Sequence, residues 1–178
     1  MPFQHWLTIL TDASALKIPR WYAPIAPQDA VIQLHVFCDA SEDAMAAAAY
    51  LRYESVSGVT VALVMSKTKV MPLKTLSIPK AELSSALMAA KLATTLSKFL
   101  TVHVTTTTFW TDSTCARSQI NTDKKLQQFF ATRVGDILEH STRLQWRYVP
   151  TTENPADYAT KWRDDASDIN NIWFRGPE

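Results

Sequence analysis

Two segments of the sequence are typical of buried β-strands that end in an aspartate followed by a serine. Val31–Cys38 is apolar and β-branched and runs into Asp39–Ser41, and Val102–Trp110 runs into Thr111–Ser113. This composition favours strands over helices. If the two strands are neighbours in one sheet, both aspartates come together where the sheet ends, a usual place for metal-binding carboxylates. Turns and helix caps use the same residues, so the pattern leaves both interpretations open.

The segment between these strands predicts an antiparallel meander. Ala44–Tyr53 is rich in alanine, which favours a helix, but it lies between two turns and we predict a strand of small residues. Val59–Met65 predicts a third strand, and the short turns make the three strands antiparallel. The segment that follows, Ser66–Lys80, is predicted to be a lysine-bearing loop.

Helices alternate with strands in the rest of the chain. Pro79 at a first-turn position predicts a helix over Lys80–Leu100, and Leu126–His140 has apolar residues at helical spacing. The remaining predictions are a short helix to Ile120, a strand at Leu144–Val149 and a last short helix opened by Asn154–Asp157. The order β-β-β-α-β-α-α-β-α predicts an α/β fold. Its five-stranded mixed sheet has three antiparallel strands followed by parallel additions, with helices on both faces.

Length and composition bound the domain organisation. A chain of 178 residues predicts one domain, placed at residues 31–163, with an N-terminal strap at 1–30 and a C-terminal tail at 164–178. The net charge of +1 announces no nucleic-acid partner, so any basic surface must be local. The two cysteines, Cys38 and Cys115, predict buried free thiols in a reduced, intracellular setting. With no evident signal peptide or membrane-spanning segment, we expect no membrane partner.

Glu82 is the only acid between Glu54 and Asp112. It lies in the first turn of the predicted long helix, where an acid complements the helix dipole. The dipole does not explain why the neighbouring positions avoid acids, whereas a surface that meets phosphates and holds one metal ligand does. With Asp39, Asp112 and Asp157, it completes a set of four carboxylates at the ends of elements. Such a set suits Mg²⁺ or Mn²⁺, and two such ions would clamp a phosphodiester.

Candidate nucleic-acid contacts accompany these acids. The lysines before Glu82 suit phosphate contacts, or they form a solvated loop; they are Lys67, Lys69, Lys74 and Lys80. Ser41, Ser113 and Asn154 flank the acids. They suit contacts with phosphate or with the 2′-hydroxyl of RNA, and they are also normal cap residues. The aromatic residues near the strand ends are predicted to lie in the core; they are Trp110, Trp146 and Tyr148.

Five blocks carry a resemblance to a known family. They are Leu34–Ser41, Ser66–Val70, Ile78–Leu83, Phe109–Ser113 and Asn154–Asp157. The order Asp, Glu, Asp, Asp within them resembles ribonuclease H, and the surrounding residues are similar to the ribonuclease H domain of BEL/Pao-type retrotransposon polyproteins. The resemblance implies a ribonuclease-H-like fold that hydrolyses the RNA strand of RNA–DNA hybrids. It also implies two Mg²⁺ ions, for which Mn²⁺ can substitute, held by Asp39, Glu82, Asp112 and Asp157.

The same resemblance implies a reverse transcriptase domain in the same polyprotein, and a retroelement particle in the cytoplasm or nucleus as the setting. The chain departs from many cellular ribonucleases H in two ways. Val149–Asn154, before the last acid, is short and has no histidine, and no basic handle helix is evident. We therefore expect slow turnover and weak hybrid binding by the isolated domain, with dependence on the fused reverse transcriptase.

Two other functions stay open. A structural or binding module with little hydrolysis, retained in a host protein, would keep the same fold, although the presence of all four acids argues against it. An integrase or transposase of the same superfamily would end its acidic set with a glutamate on a helix. Here Glu82 comes second and Asp157 closes the set.

Overall fold

The computed structural model describes residues 27–73, 76–161 and 168–177 and the single positions 7, 11, 14, 17, 22 and 23. Its strands are β1 (Val31–Ala40), β2 (Ala44–Ser55), β3 (Gly58–Val70), β4 (Thr106–Thr111) and β5 (Trp146–Tyr148). Its α-helices are α1 (Ile78–Phe99), α2 (Thr114–Asn121), α3 (Gln128–Leu138) and α4 (Ile172–Arg175). Short 3₁₀ helices lie at Pro27–Asp29, Arg143–Gln145, Thr151–Glu153 and Pro155–Ala159. Within these ranges, no helix has the length and apolar character needed to cross a membrane.

The five strands form one mixed sheet in the order β3-β2-β1-β4-β5. Short turns join the first three strands, so β1 pairs antiparallel with β2 and β2 with β3. The chain then crosses through α1, and β4 consequently lies parallel beside β1, with β5 parallel beside β4. The predicted fold class, a five-stranded mixed sheet with three antiparallel strands and parallel additions, is confirmed.

The alanine-rich segment is a strand, as predicted, with β1 and β3 on its two sides. Residues 46–49 are fully buried, because both faces of the sheet are covered there. Ala47 and Ala49 face α1 in the main core, so the helix packs on small side chains. Ala48 faces the other way, beside Tyr50. Burial between two strands therefore outweighs the helix propensity of alanine.

The main core lies between the sheet and the helices α1, α2 and α3. Pro79 lies in the first turn of α1, as predicted, where a missing N–H removes no helical hydrogen bond. Cys38 of β1 packs under this helix, and burial raises the pKa of its thiol to about 12. The prediction of two buried thiols is wrong for Cys115, which is exposed because α2 buries Ala116 and Ile120 instead.

Short elements cover part of the opposite face of the sheet. The 3₁₀ helix Pro155–Ala159 and α4 lie there, and the Tyr50 hydroxyl donates a 2.7 Å hydrogen bond to the carbonyl oxygen of Trp173 in α4. Gly176, just after α4, has φ +73°, and a Cβ there would lie 2.8 Å from the Val61 side chain. Glycine therefore lets the end of α4 approach β3 closely.

Three strands differ markedly from their predicted bounds. β4 begins at Thr106, where its pairing with β1 begins, rather than at Val102. β3 runs to Val70 rather than to Met65, because β2 supplies pairing partners along its whole length. The segment from residue 66 to 70 is thus part of a strand and not of a loop. β5 is shorter than Leu144–Val149, because the 3₁₀ helix Arg143–Gln145 takes up its first residues. Most of the predicted N-terminal strap and the start of the predicted tail lie outside the described residues.

Candidate active site

The carboxyl ends of β1 and β4 bring two of the predicted acids side by side. Cys38 of β1 pairs with Thr111 of β4 in parallel register. The next residues, Asp39 in β1 and Asp112 just after β4, therefore lie side by side at the ends of neighbouring strands, whose axes are roughly 4.8 Å apart in a sheet. Asp39 is buried, with 9% of its surface exposed, and Asp112 is partly exposed. This arrangement follows from the two strand–aspartate segments of the sequence.

Glu82 approaches the same place from the second turn of α1. Its predicted first-turn position is wrong, because the helix begins at Ile78 and its first turn holds no acid. Ser113, directly after Asp112, is the N-cap of α2, and its side-chain oxygen accepts a hydrogen bond from the Ala116 amide. The same hydroxyl donates a 2.6 Å hydrogen bond to the Glu82 carboxylate. One side chain therefore caps a helix and holds the second predicted acid close to Asp112.

Asp157 is brought to β1 by the 3₁₀ helix Pro155–Ala159. The side chain of Asn154 caps this helix and also donates a 3.0 Å hydrogen bond to the Cys38 carbonyl oxygen, which fixes the helix start against β1. At the other end, the Thr160 hydroxyl donates a hydrogen bond to the Asp39 carboxylate. Asp157 lies between these two attachments and is 2% exposed.

The pKa values of Asp39 and Glu82 are both raised in the fold. Burial raises the pKa of Asp39, and repulsion from Asp112 and Asp157 raises it further, against the effect of the hydrogen bond from Thr160. Burial likewise raises the pKa of Glu82, with further increases from Asp112 and Asp39. The ionised forms are thus disfavoured by burial and by like charge. A bound cation would relieve both effects.

Lys161 supplies a positive charge to this cluster. Its ammonium group forms an ion pair with Asp157, whose side chain is 3% exposed, while the lysine side chain is 51% exposed. The hydrogen bond with Asp157 raises the pKa of Lys161, and the charges of Asp157, Asp39 and Asp112 raise it further. Lys161 therefore neutralises part of the negative charge of the acids.

The donor set is suited to a hard divalent cation. Carboxylate oxygens are the ligands that Mg²⁺ and Mn²⁺ prefer. In the part of the chain that the structure describes, no three histidine, cysteine or acidic side chains form a group ready to hold a metal ion. Asp39, Glu82 and Asp157 each have an oxygen engaged by a hydroxyl or ammonium group of the protein. Metal binding would require these oxygens to be shared or released.

The three predicted polar contacts flanking the acids all have partners within the protein. Ser41 donates a 2.7 Å hydrogen bond to the Thr160 carbonyl oxygen and accepts from two backbone amides of the turn after β1. Ser113 and Asn154 make the capping contacts described above, and both are buried. Contact of these residues with phosphate or with a 2′-hydroxyl stays a prediction.

The predicted lysines lie on two elements. Lys67 and Lys69 are exposed on β3 and not in a loop, as a correction of the predicted strand end. Lys80 lies in the first turn of α1, with its ammonium 5.2 Å from the centre of the Phe129 ring, a cation–π contact. Lys74 lies outside the described residues. Phosphate contact by these lysines stays a prediction.

The aromatic residues near the strand ends behave differently from one another. Trp146 is in the core, as predicted, 3% exposed and stacked on Phe109 with 4.7 Å between ring centres. Tyr148 is 44% exposed, so its prediction as a core residue is wrong. It belongs to the short edge strand β5, where the described residues leave its ring partly exposed. Trp110 is only partly buried and borders a cleft.

Sequence reasoning missed Thr160 and Lys161. They follow Asp157 by three and four residues, the spacing at which side chains in a helical turn meet. That spacing is visible in the sequence and favours the Asp157–Lys161 pair. The Thr160–Asp39 contact joins positions 121 residues apart, and no local pattern indicates it.

Comparisons with known proteins place the chain among ribonuclease-H-like domains. Residues 3–113 match the family model described as "Pao retrotransposon-like RNaseH-like domain". This range includes Asp39, Glu82 and Asp112, and Asp157 lies beyond it. No curated protein sequence matches the chain.

Solved structures similar to this chain have low sequence identity. The N-terminal ribonuclease H domain of a Mycobacterium tuberculosis protein is 14% identical, with TM-score 0.48, covering 78% of this chain and 95% of that one. Ribonuclease H1 of Halobacterium salinarum is 14% identical, with TM-score 0.46 and coverages of 77% and 97%. A foamy viral protease–reverse transcriptase bound to double-stranded DNA is 14% identical, with TM-score 0.43 and coverages of 85% and 27%.

Proposed function

We propose, since this chain belongs to the family of Pao retrotransposon-like RNaseH-like domains, that it is a ribonuclease H. It would cleave the RNA strand of RNA–DNA hybrids as an endonuclease. The observation that carries the proposal is the parallel pairing of Cys38 with Thr111, which sets Asp39 and Asp112 on neighbouring strand ends. The charges of Asp112 and Asp157 raise the pKa of Asp39, and the charges of Asp112 and Asp39 raise the pKa of Glu82. These effects support a single shared site.

The four acids would hold two Mg²⁺ ions, or Mn²⁺ in their place; they are Asp39, Glu82, Asp112 and Asp157. When bound, such ions lower the pKa of an attacking water and stabilise the leaving oxygen of a phosphodiester. The chain's own contribution is orientation. Thr160 holds Asp39 and Ser113 holds Glu82, each through a hydroxyl hydrogen bond. Lys161 neutralises part of the charge on the cluster.

The proposed substrate contacts are basic and polar side chains near the four acids. Phosphates of the hybrid would meet the basic side chains of β3, α1 and the segment between them; they are Lys67, Lys69, Lys74 and Lys80. Polar contacts to phosphate or to the 2′-hydroxyl would come from Ser41, Ser113 and Asn154. We place the domain in a retroelement polyprotein whose reverse transcriptase supplies the hybrid, in an intracellular particle of the cytoplasm or nucleus.

A second candidate is a ribonuclease-H-like module that binds nucleic acid with little or no hydrolysis. One observation favours it: three of the four acids are engaged by protein donors, among them the ammonium of Lys161. If that ion pair outcompetes divalent cations, the acids serve the fold and not catalysis. The two candidates differ in one measurable property, cleavage of a hybrid in the presence of metal.

The test is cleavage of an end-labelled RNA–DNA hybrid by the full chain with Mg²⁺ and, separately, with Mn²⁺. The wild type is expected to shorten the RNA strand and to leave the DNA strand intact. Asp39→Asn and Asp112→Asn are each expected to reduce the rate at least about 100-fold, equivalent to about 3 kcal/mol in the barrier. Asp136→Asn is the matched control, because Asp136 lies on α3 in a half-exposed ion pair with Arg133.

Hybrid binding in EDTA is measured alongside cleavage, so that a chain that binds without cleaving can be distinguished from one that does neither. Binding without cleavage in either metal, at high protein concentration, would establish the binding module and reject the nuclease. Cleavage that survives in both aspartate variants would reject the assignment of the acids. Equal losses in these variants and in Asp136→Asn would point to a general effect of lost charge and also count against the site.

A further inference from the structure

The sheet face that α1 does not cover carries an open cleft of about 870 Å³. Four strands contribute side chains to it, and the end of α4 lines one side. Aromatic rings are prominent in the lining, with His35 and Phe37 from β1, Tyr50 from β2 and Trp110 from β4. The proposed hydrolysis of hybrids uses none of these residues.

The rings of His35 and Trp110 are nearly parallel and hydrogen-bonded to each other, and the buried ring of Phe37 is parallel to Trp110. The Trp110 indole N–H donates a 3.0 Å hydrogen bond to Nδ1 of His35, and the two ring planes differ by 16°. A hydrogen bond between an indole N–H and a ring nitrogen lies in the planes of both rings, so the two rings lie side by side. Phe37 is 5.9 Å from Trp110, with an angle of 11° between the planes. His35 and Trp110 are both partly exposed.

Arginines border this aromatic surface. Arg52 and Arg175 line the cleft, and burial, followed by the charges of Arg52 and Arg147, lowers the pKa of His35 to about 4. The histidine is thus neutral at physiological pH and keeps its acceptor nitrogen for Trp110. Arg147 is exposed, and its guanidinium has no hydrogen bond or ion pair with any residue that the structure describes.

Arg147 extends this surface to the β5 edge of the sheet, because it pairs with Trp110 and shares its face. A second, smaller cleft of about 530 Å³ lies at this edge, but Trp146 and Tyr148 in its lining alternate with Arg147 along β5 and therefore belong to the opposite face. On the open face acids are fewer than arginines: Glu153 lines the first cleft, and Glu54 pairs with Arg52. The open face therefore combines the Trp110 ring with an excess of positive charge.

We propose that this surface binds a single strand of nucleic acid, with a base against Trp110 and phosphates at Arg147 and Arg175. Stacking rings combined with a basic groove is the general means by which proteins hold single strands without sequence preference. A purely apolar partner would leave Arg147 without a counter-charge, whereas a polyanion supplies one at every nucleotide. The inference is independent of hydrolysis and goes beyond the proposed function.

The position of the surface relates it to the acids. Trp110 of β4 precedes Asp112, just after the strand, by two residues, and Phe37 precedes Asp39 by two on β1. Two residues of a strand span roughly 6.6 Å. A strand held here would lie beside the acid cluster, as an unpaired extension of a hybrid or a displaced strand would.

The test is fluorescence anisotropy of a labelled single-stranded RNA, and separately DNA, of about 12 nucleotides, with the full chain in EDTA at low salt. Arg147→Glu is expected to weaken binding about tenfold or more and to lower the salt dependence of log K by about one for each lost phosphate contact. Trp110→Leu is expected to weaken binding by about tenfold through lost stacking. Circular dichroism checks the fold of each variant.

Lys98→Glu is the matched control, since Lys98 is exposed in the last turn of α1 and makes the same change of charge. It should change the affinity by less than about twofold. No binding by the wild type, or equal weakening by Arg147→Glu and Lys98→Glu, would overturn the inference. So would equal affinity for a blunt duplex with equal sensitivity to Arg147→Glu. A chain that binds single strands here and yet cleaves no hybrid would leave this inference standing while the proposed function fails.

Discussion

Lys161 places a fixed positive charge where the proposed function requires divalent cations. Its ammonium is bonded to the buried carboxylate of Asp157 and is also influenced by Asp39 and Asp112. In the absence of metal it reduces repulsion among the acids. When a cation is added, the same ammonium repels it. The residue therefore acts in opposite directions on the stability of the metal-free protein and on metal affinity.

Replacing the ammonium by a neutral side chain of similar length tests this directly. We expect Lys161→Met to lower the melting temperature in EDTA and to give a larger increase in melting temperature on addition of Mn²⁺ than the wild type shows. The increase reports affinity, because a ligand that binds only the folded state stabilises it by RT ln(1 + [L]/Kd). Lys91→Met, on the exposed side of α1, is the control. Identical Mn²⁺ shifts in Lys161→Met and wild type would contradict the interpretation.

For single residues, the sequence was sufficient to predict that Asp39 and Asp112 lie side by side, and insufficient to predict which side chains hold them. Both aspartates follow strands that can be recognised from apolar β-branched runs, and parallel neighbours end at the same edge of a sheet. Thr160 contacts Asp39 across 121 positions. That contact depends on where the last 3₁₀ helix docks, which no periodicity in the sequence encodes.

Among the elements, β2 and α1 depend on each other through small side chains. Ala47 and Ala49 of β2 are fully buried against α1, which itself presents alanines such as Ala86 and Ala90 to the core. Small residues on both elements let the helix lie close to the sheet. The second turn of α1 carries Glu82, so this packing also determines how near that carboxylate comes to the ends of β1 and β4.

A larger side chain at this contact should force the two elements apart. We expect Ala47→Leu to lower the free energy of unfolding by about 1–3 kcal/mol, the usual cost of overpacking a filled core. Urea denaturation measures the change. Val56→Leu, a substitution that adds one methylene in a fully exposed turn, should stay within about 0.5 kcal/mol of the wild type. An Ala47→Leu variant as stable as the wild type would show that the contact has spare volume.

The elements predicted best are those whose ends are marked by local sequence signals, and the two edge strands, β3 and β5, were predicted worst. Pro79 marks the start of α1, and the turns on either side of the alanine run outweigh its helix propensity. The length of β3 is set by its partner, since Val70 pairs with Ala44 at the start of β2. The shortness of β5 reflects the 3₁₀ helix before it. The residues of β3 do not reveal how far β2 pairs with it, and the residues of β5 do not reveal the 3₁₀ helix before it.

For the whole molecule, two kinds of titrating group act on stability with opposite dependence on pH. The pKa of His35 is lowered from 6.5 to about 4 in the fold, chiefly by burial. Between these values the unfolded chain binds more protons, so stability is lost as pH falls through this window. The pKa values of Asp39 and Glu82 are raised. Their contribution is present at low pH and is lost as pH rises through their folded values.

Removing the histidine should isolate its part of this profile. We expect His35→Gln, whose amide oxygen can still accept from Trp110, to lose less melting temperature than the wild type between pH 6.5 and pH 4. Thermal unfolding in EDTA across this range measures the difference. His103→Gln, at an exposed position, should retain the wild-type profile. A His35→Gln profile that parallels the wild type would show that the acid sensitivity arises elsewhere.

The aromatic and basic surface is a property of the whole fold and was not predicted. Trp110 is predicted from the sequence to be a core residue, because aromatic residues in predicted strands are usually buried. Its partial exposure depends on how little of this face the short 3₁₀ helices and α4 cover. The elements that cover this face come from the last part of the chain, and the residue pattern within a strand does not indicate whether they cover it.

The long outer edge of β3 has a consequence for the behaviour of the domain in solution. β3 is a terminal strand of the sheet and is thirteen residues long, and its Val70 side chain is 77% exposed. An unpaired edge of this length is a template onto which another chain can add a strand, and lysines on such an edge oppose that addition. In an antiparallel pairing of two copies centred on residue 68, Lys67 of each copy would face Lys69 of the other. Independently of any nucleic acid, these lysines would therefore oppose aggregation along the edge that the described part of the chain leaves unpaired.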